Sequence, residues 1–362
     1  MSSNLMESVE SALSAVSFPL LDGLPLSRIC ELSNQDGVVR ILVNQGVYGA
    51  DITAQLQSAI SQALAGLNAE NIELGFQTNI LPAKSLQSAS VSSVPGVKNI
   101  IAVASGKGGV GKSTTTVNIA LALAQAGASV GILDADIYGP SQPQMLGVAD
   151  KRPEMYGPNM IEPIAAHGLK VVSMGNLVTD KTPMVWRGPM VSGALQQLLQ
   201  NTHWVDIDYL VIDMPPGTGD IQLTLSQAVP VSGSVVVTTP QDIALLDARK
   251  GIEMFNKVHI PVLGVVENMA THICSNCGHA EAIFGEKGGA ALAEEYGVNV
   301  LGRLPLTMSI REQTDAGKPP VVHEPDSSVS AEYRSIARQV TLSLWLQSLA
   351  GTAGPEISFS DD

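Results

Sequence analysis

Apolar runs recur along the chain from residue 98 onward: NIIAVAS, SVGILDAD, LKVVSMG, YLVIDMP, SVVVTTP, PVLGVVENM and NVLGRLPL. They do not alternate with polar residues, so each is read as a strand buried on both faces, and helical stretches separate them. This succession predicts an α/β fold built on a doubly wound, mostly parallel sheet over residues 98–350. Residues 1–81 have a different texture. A helix-like start (SVESALSAV), a strand VVRILVN at 38–44, a helical pattern TAQLQSAISQALAGL at 53–67 and a strand NIELGF at 71–76 predict a small α+β domain. Between the two, LPAKSLQSASVSSVPGV lacks periodicity and is rich in Ser, Ala and Pro, the composition of a flexible linker over 82–97. AEYRSIARQVTLSLWLQSLA predicts a helix packed in the core of the larger domain, and residues 351–362 read as an acidic tail. No internal repeat is visible.

Composition narrows the classes. With 362 residues, 45% of them hydrophobic, the chain can bury a sizeable core, and an aromatic content of 4% suits an alanine- and valine-rich α/β protein. The formal net charge of -14 argues against generic binding to nucleic acid or to an anionic membrane, since both would repel such a surface. The most apolar window, IALALAQAGASVGILDA, is interrupted by Gln125, Gly127, Ser129 and Asp134 and reads as helix, turn and strand. MSSNLMESVE lacks the basic and apolar regions of an export signal, so the expectation is a cytoplasmic protein with reduced thiols.

The strongest chemical signal follows the first buried strand. SGKGGVGKST, 105–114, satisfies G-x-x-x-x-G-K-[ST] through Gly106, Gly111, Lys112 and Ser113, with a helical pattern behind it. This strand–loop–helix context predicts a P-loop NTPase sheet. The backbone from Gly106 through Lys107, Gly108, Gly109, Val110 and Gly111 to Thr114 would cradle phosphates, helped by the helix N-terminus. Lys112, read as an exposed loop charge, would reach the β- and γ-phosphates, and the Ser113 hydroxyl would ligate magnesium. YLVIDMPPGTGD ends its strand at Asp213, where a carboxylate can hold magnesium through water. GILDADIYGPS places Asp134 and Asp136 at another strand's carboxyl end, the edge where doubly wound sheets bind ligands. Asp136 is the candidate for orienting an attacking water, and Asp134 for supporting the metal through water. For each aspartate alone, a strand-end cap is the competing reading.

Lys107 inside the loop makes the motif resemble the deviant Walker A, KGGVGK[ST], of the MinD/ParA/nitrogenase-reductase class. The resemblance implies that this lysine reaches the nucleotide of the other subunit in a face-to-face homodimer and clamps charge on the transferring phosphoryl group. Further segments, DADIYGPSQPQMLG, MVWRGPMVSGALQQLL, DMPPGTGD and ENMATHICSNCGHAEAIFG, resemble the Mrp/ApbC family of iron–sulfur cluster carrier ATPases over roughly residues 98–345. That resemblance implies ATP as the nucleotide, a bridging 4Fe–4S cluster on Cys274 and Cys277, and Asn268 and Pro305 near the adenine. It also implies a slow ATPase that receives clusters from scaffold proteins and hands them to apoproteins. Residues 1–81 weakly resemble the small iron–sulfur assembly domain, with FPLLDG (18–23) and QGVYG (45–49) standing where that domain has its acidic motif and cysteine turn.

Cys274 and Cys277 form a Cys-x-x-Cys, yet the chain's third cysteine, Cys30, lies alone in ICELSNQDG and reads as a buried small hydrophobe. Iron–sulfur clusters are commonly held by four thiolates, and a two-fold dimer doubles two to four. Other readings stay open at this stage. His272 and His279 flank the pair and could complete a zinc site within one chain, or zinc could bridge two chains through four cysteines. The latter would suit a ParA/MinD-like positioning ATPase, although the final helix has few basic residues, only Arg334 and Arg338. A nitrogenase-reductase-type electron donor would instead draw its cysteines from separate parts of the chain.

Overall fold

A computed structural model describes residues 2–67, 71–83, 93–137, 139–176, 188–274 and 276–351. Most of the expected linker, the start of MVWRGPMVSGALQQLL, Tyr138 of DADIYGPS, Ser275 between the cysteines and the tail from 352 lie outside the described residues.

The chain divides into two compact units, Met1–Lys84 with Thr341–Asp362, and Ser85–Val340. The first contains helix α1 (Ser2–Ala15), strands β1 (Cys30–Gln35) and β2 (Val38–Gln45), helix α2 (Ala50–Ala63) and strand β3 (Ile72–Thr78). β1 and β2 pair antiparallel and β3 joins β2 in parallel, with α2 as the crossover. The β1–β2 turn is Asp36–Gly37, both at positive φ (54° and 85°), as a two-residue hairpin loop matching the strand twist requires. β1 is absent from the sequence expectation because its residues CELSNQ are mostly solvent-facing and carry no apolar run. The unit's core gathers Val9, Leu13, Ile41, Val43, Ile52, Leu56 and Ile60 with Trp345 and Leu349. The end of the final helix, expected in the larger domain, therefore completes the smaller one. FPLLDG and QGVYG bury Leu21 and Val47 in this same core. Cys30 is half-buried at its edge rather than fully inside, and burial pushes its thiol up to about 12.

The second unit runs β4 (Val97–Ala104), α3 (Lys112–Ala126), β5 (Val130–Asp134), α4 (Gln142–Met145), β6 (Glu154–Tyr156), β7 (Met160–Glu162), β8 (Ile164–Ala166), β9 (Leu169–Ser173), α5 (Gly188–Gln200), β10 (Ile207–Asp213) and α6 (Asp220–Ala228). It continues through β11 (Gly233–Thr238), α7 (Asp242–Lys257), β12 (Val262–Ile273), β13 (Ala280–Glu281), α8 (Gly288–Tyr296), β14 (Val300–Leu306), α9 (Met308–Asp315), α10 (Pro320–His323) and the part of α11 (Ser328–Gly351) that precedes Thr341. Nine strands form one sheet, ordered β13-β12-β11-β4-β10-β5-β9-β8 with β14 also on β12. All pairings are parallel except those of β8 and β13, which add antiparallel edges. Each expected buried strand is present, and β5, β10 and β11 are buried at every residue. The edge elements β8 and β13 and the hairpin β6–β7 are additional; at two or three residues each they are too short to leave an apolar run. Among the described residues no helix is long and apolar enough to cross a membrane.

Candidate functional site

Parallel pairing fixes the site before any side chain is considered. In register, Asp213 at the end of β10 lies beside Val103 of β4 on one side and beside Asp134 of β5 on the other. The loop from Gly106 to Gly111 leaves β4 at this same edge, and α3 begins at Lys112. Gly109 and Gly111 sit at φ 80° and 81°, a conformation that strains side-chain-bearing residues. Gly111 is constrained twice, because a Cβ there would lie 2.1 Å from the Asn268 amide nitrogen. Gly108 and Gly109 are exposed, whereas Val110 is buried and Gly106, Lys107, Ser113 and Thr114 are half-buried.

Lys112 departs from expectation. It is 6% exposed rather than an open loop charge. Its ammonium forms an ion pair with Asp213 and lies 3.1 Å from the Ser113 hydroxyl. Asp213, fully buried, also accepts from the Thr116 hydroxyl (3.2 Å) and from the Gln142 amide (2.9 Å). Asp134, equally buried, accepts from the backbone N–H of Asp136 (3.2 Å), Ser141 (2.9 Å) and Gln142 (3.0 Å) and from the Ser173 hydroxyl (3.2 Å). Burial, and secondly the neighbouring Asp213 charge, push its carboxyl up to about 7, against the pull of those donors and of Lys112. Asp136 is 8% exposed and accepts from the Gly139 N–H at 3.3 Å. The strand-end turn thus engages both Asp134 and Asp136 as caps.

The donor set fits magnesium. All candidate ligands are hard oxygens, from Ser113, Asp134 and Asp213, and the buried oxygens Ser141 Oγ and Gln142 Oε1 beside them have no hydrogen-bond partner among the described residues. No three His, Cys, Asp or Glu side chains among the described residues form a metal cage. An ion held mainly through a hydroxyl, phosphates and water does not need one.

β12 carries the other candidates. Asn268 donates its amide to the Val110 carbonyl at 2.8 Å, tying the strand to the phosphate loop. The strand is irregular here, with Met269 at φ 55° and a register shift against β14 between Glu267 and Thr271. Pro305 lies on the adjacent strand β14, opposite Thr271. Beyond the bulge, β12 pairs with β13 and the connecting turn presents the cysteines, Cys274 half-buried and Cys277 exposed. The turn is closed by Cys274 N–H to the His279 carbonyl and Gly278 N–H to the Cys274 carbonyl, both 2.9 Å. The N–H groups of Cys277 and Asn276 and the Cys277 thiol point at the Cys274 sulfur and hold its pKa below the usual thiol value. His272 instead faces the Leu306 carbonyl at 3.3 Å, and the described residues here do not gather three His, Cys, Asp or Glu side chains as a single-chain zinc site would. Thr116 and Ser173 belong to no spacing motif, and Gln142, although inside DADIYGPSQPQMLG, has no role legible there; only folding brings the three to the aspartates.

A family model described as a ParA-type NUBPL iron-transfer P-loop NTPase matches residues 96–341. The chain belongs to this family. An iron–sulfur cluster carrier protein of Pseudomonas fragi is 62% identical over 283 residues, 78% of this chain and 97% of that protein. A protein of the same description from Deinococcus radiodurans is 40% identical over 344 residues, 94% of this chain and 95% of that one, and so spans both units. The mouse iron–sulfur cluster transfer protein NUBPL is 51% identical over 249 residues, covering 68% and 78%. Among solved structures, a nucleotide-binding protein from Archaeoglobus fulgidus in complex with ADP superposes with TM-score 0.57 at 36% identity, covering 65% of this chain and 91% of that one.

Proposed function

We propose that the protein is a homodimeric carrier that holds a 4Fe–4S cluster between Cys274 and Cys277 of two subunits, hydrolyses ATP slowly at the P-loop, and passes the cluster from scaffold proteins to apoproteins. The observation that carries this reading is the exposed turn in which two backbone N–H groups stabilise the Cys274 thiolate at the end of a strand anchored on the phosphate loop. Thiolates are the soft ligands such a cluster needs. Two from each chain leave it shallow and transferable, which suits cargo. The carrier names of the relatives from Pseudomonas fragi and Deinococcus radiodurans support the same reading.

For the nucleotide, the loop amides bind the phosphates. Lys112 turns its ammonium from Asp213 to the β- and γ-oxygens, freeing that carboxylate, and Asp136 orients the attacking water. Ser113, with Asp134 and Asp213 through water, would hold magnesium, which supplies charge neutralisation across the phosphate oxygens. Lys107 adds positive charge from the opposite subunit as the phosphoryl group transfers. The test is anaerobic reconstitution with iron and sulfide. The expected result is a thiolate-to-iron absorption band and about four iron atoms per two chains. Bound zinc with no uptake of iron would refute the carrier reading.

A further inference from the structure

Gln142 is fully buried at the start of α4, with its amide nitrogen donating to the Ser113 carbonyl (3.0 Å) and to Asp213 (2.9 Å). Both partners are acceptors only, so the orientation of the side-chain amide is fixed. The reversed amide would set its oxygen against two oxygens. The backbone N–H of Gln142 meanwhile goes to Asp134. One residue therefore touches the P-loop serine and both buried carboxylates. What remains is its carbonyl oxygen, buried and with no hydrogen-bond partner among the described residues. A buried acceptor left without a donor is costly, and this one is held in place by bonds that cannot be satisfied the other way round.

We propose that Gln142 is a positioning residue of the magnesium–nucleotide site, its carbonyl oxygen accepting a hydrogen bond from a metal-bound water. The donor it lacks is one that a hydrated hard cation supplies, because magnesium retains several waters whose O–H groups are strong donors. The amide end plays the complementary part, holding Asp213 and the Ser113 backbone in fixed relation whether or not nucleotide is bound. The residue would then act on the metal from outside its coordination shell, as hydrogen-bonded partners of metal ligands do. This inference rests on the reading of Ser113, Asp134 and Asp213 as the magnesium side of a P-loop site.

The experiment measures ADP affinity with and without magnesium, by fluorescence of a labelled ADP, for wild type, Gln142→Leu and Gln142→Glu. Wild type is expected to bind ADP more tightly with magnesium. Gln142→Leu should lose about tenfold of that enhancement, beyond whatever metal-free affinity it loses with the amide tether. Gln142→Glu keeps an oxygen toward the metal but sets a second oxygen against Asp213 and the Ser113 carbonyl, so its melting temperature in ADP should fall below wild type and recover when magnesium is added. Equal loss of affinity with and without metal in Gln142→Leu would show a tether only and overturn the inference. So would a Gln142→Glu protein whose melting temperature in ADP ignores magnesium, a readout that remains if the leucine variant fails to fold. A wild type indifferent to magnesium would instead overturn the reading of the site on which the inference depends.

Discussion

Removing the Lys112 ammonium leaves Asp134 and Asp213 side by side in the interior without the cation that compensates them. Lys112→Ala is therefore expected to lower stability, by roughly 3 kcal/mol, as well as to abolish nucleotide turnover. The loss should depend on pH with a definite sign. Burial and Asp213 raise the Asp134 pKa from 3.8 to about 7, so the folded protein binds this proton more tightly than the unfolded chain does. That group adds stability as pH falls through the window between those values and withdraws it as pH rises. The deficit of Lys112→Ala should be largest above pH 7 and shrink toward pH 5; melting curves across that range that run parallel would contradict the pairing. The cysteines offer a second test at this scale. With the Cys274 thiol held low and Cys30 pushed to about 12, iodoacetamide near neutral pH should label Cys274 early and Cys30 last. Labelling of Cys30 should accelerate steadily into the alkaline range. Peptide mass mapping that finds Cys30 modified first would contradict its burial.

At the scale of elements, β12 is the strand that serves two sites. Its Asn268 is bonded to the phosphate loop, and six residues later it delivers Cys274 into a solvent-facing turn. Fully extended, such a span would be roughly 20 Å, but the irregular stretch at Met269 shortens it, with four steps along β12 matching two along β14. Changing both Cys274 and Cys277 to Ala should remove iron binding while leaving the melting temperature of the apo protein and its affinity for ADP unchanged. A zinc staple predicts a marked drop in melting temperature instead. The buried strands were legible because a sheet covered on both faces must write itself as unbroken Val, Ile and Leu. The Gly106–Thr114 loop was legible because phosphate binding needs glycines and a lysine at fixed spacing. β1 was not, because solvent accepts any residue on its exposed side, although Asp36–Gly37 was a usable turn signal. The burial of Lys112 and the gathering of Gln142 onto Asp134 and Asp213 were illegible for another reason. They depend on which strands become neighbours, and β5 and β10 are far apart in sequence.

At the scale of the whole molecule, the proposed face-to-face dimer makes Lys107 answerable to the other chain. Lys107→Ala should keep ATP binding and lose most hydrolysis. In mixed dimers the deficit should follow the nucleotide facing the altered chain; a deficit confined to the altered subunit's own nucleotide would defeat that assignment. The smaller unit gives a separate prediction. Trp345, 3% exposed, belongs to its core, and the Arg28 guanidinium donates to the Leu349 carbonyl at 2.9 Å. Trp345→Ala should cost about 3–5 kcal/mol there. Amide hydrogen exchange should quicken in β1, β2 and β3 while β4, β5 and β10 keep their protection. Uniform quickening would mean that the two cores unfold as one.

That same arrangement sets an order of events at the ribosome. The first unit to emerge is the last able to close, since the tryptophan that fills its interior is added only after the entire nucleotide-binding unit has been translated. At about 5–20 residues per second the wait is on the order of tens of seconds. Throughout it the nascent α1–β3 segment carries an unfilled apolar surface, and a chain whose synthesis stops before Trp345 leaves that surface unfilled.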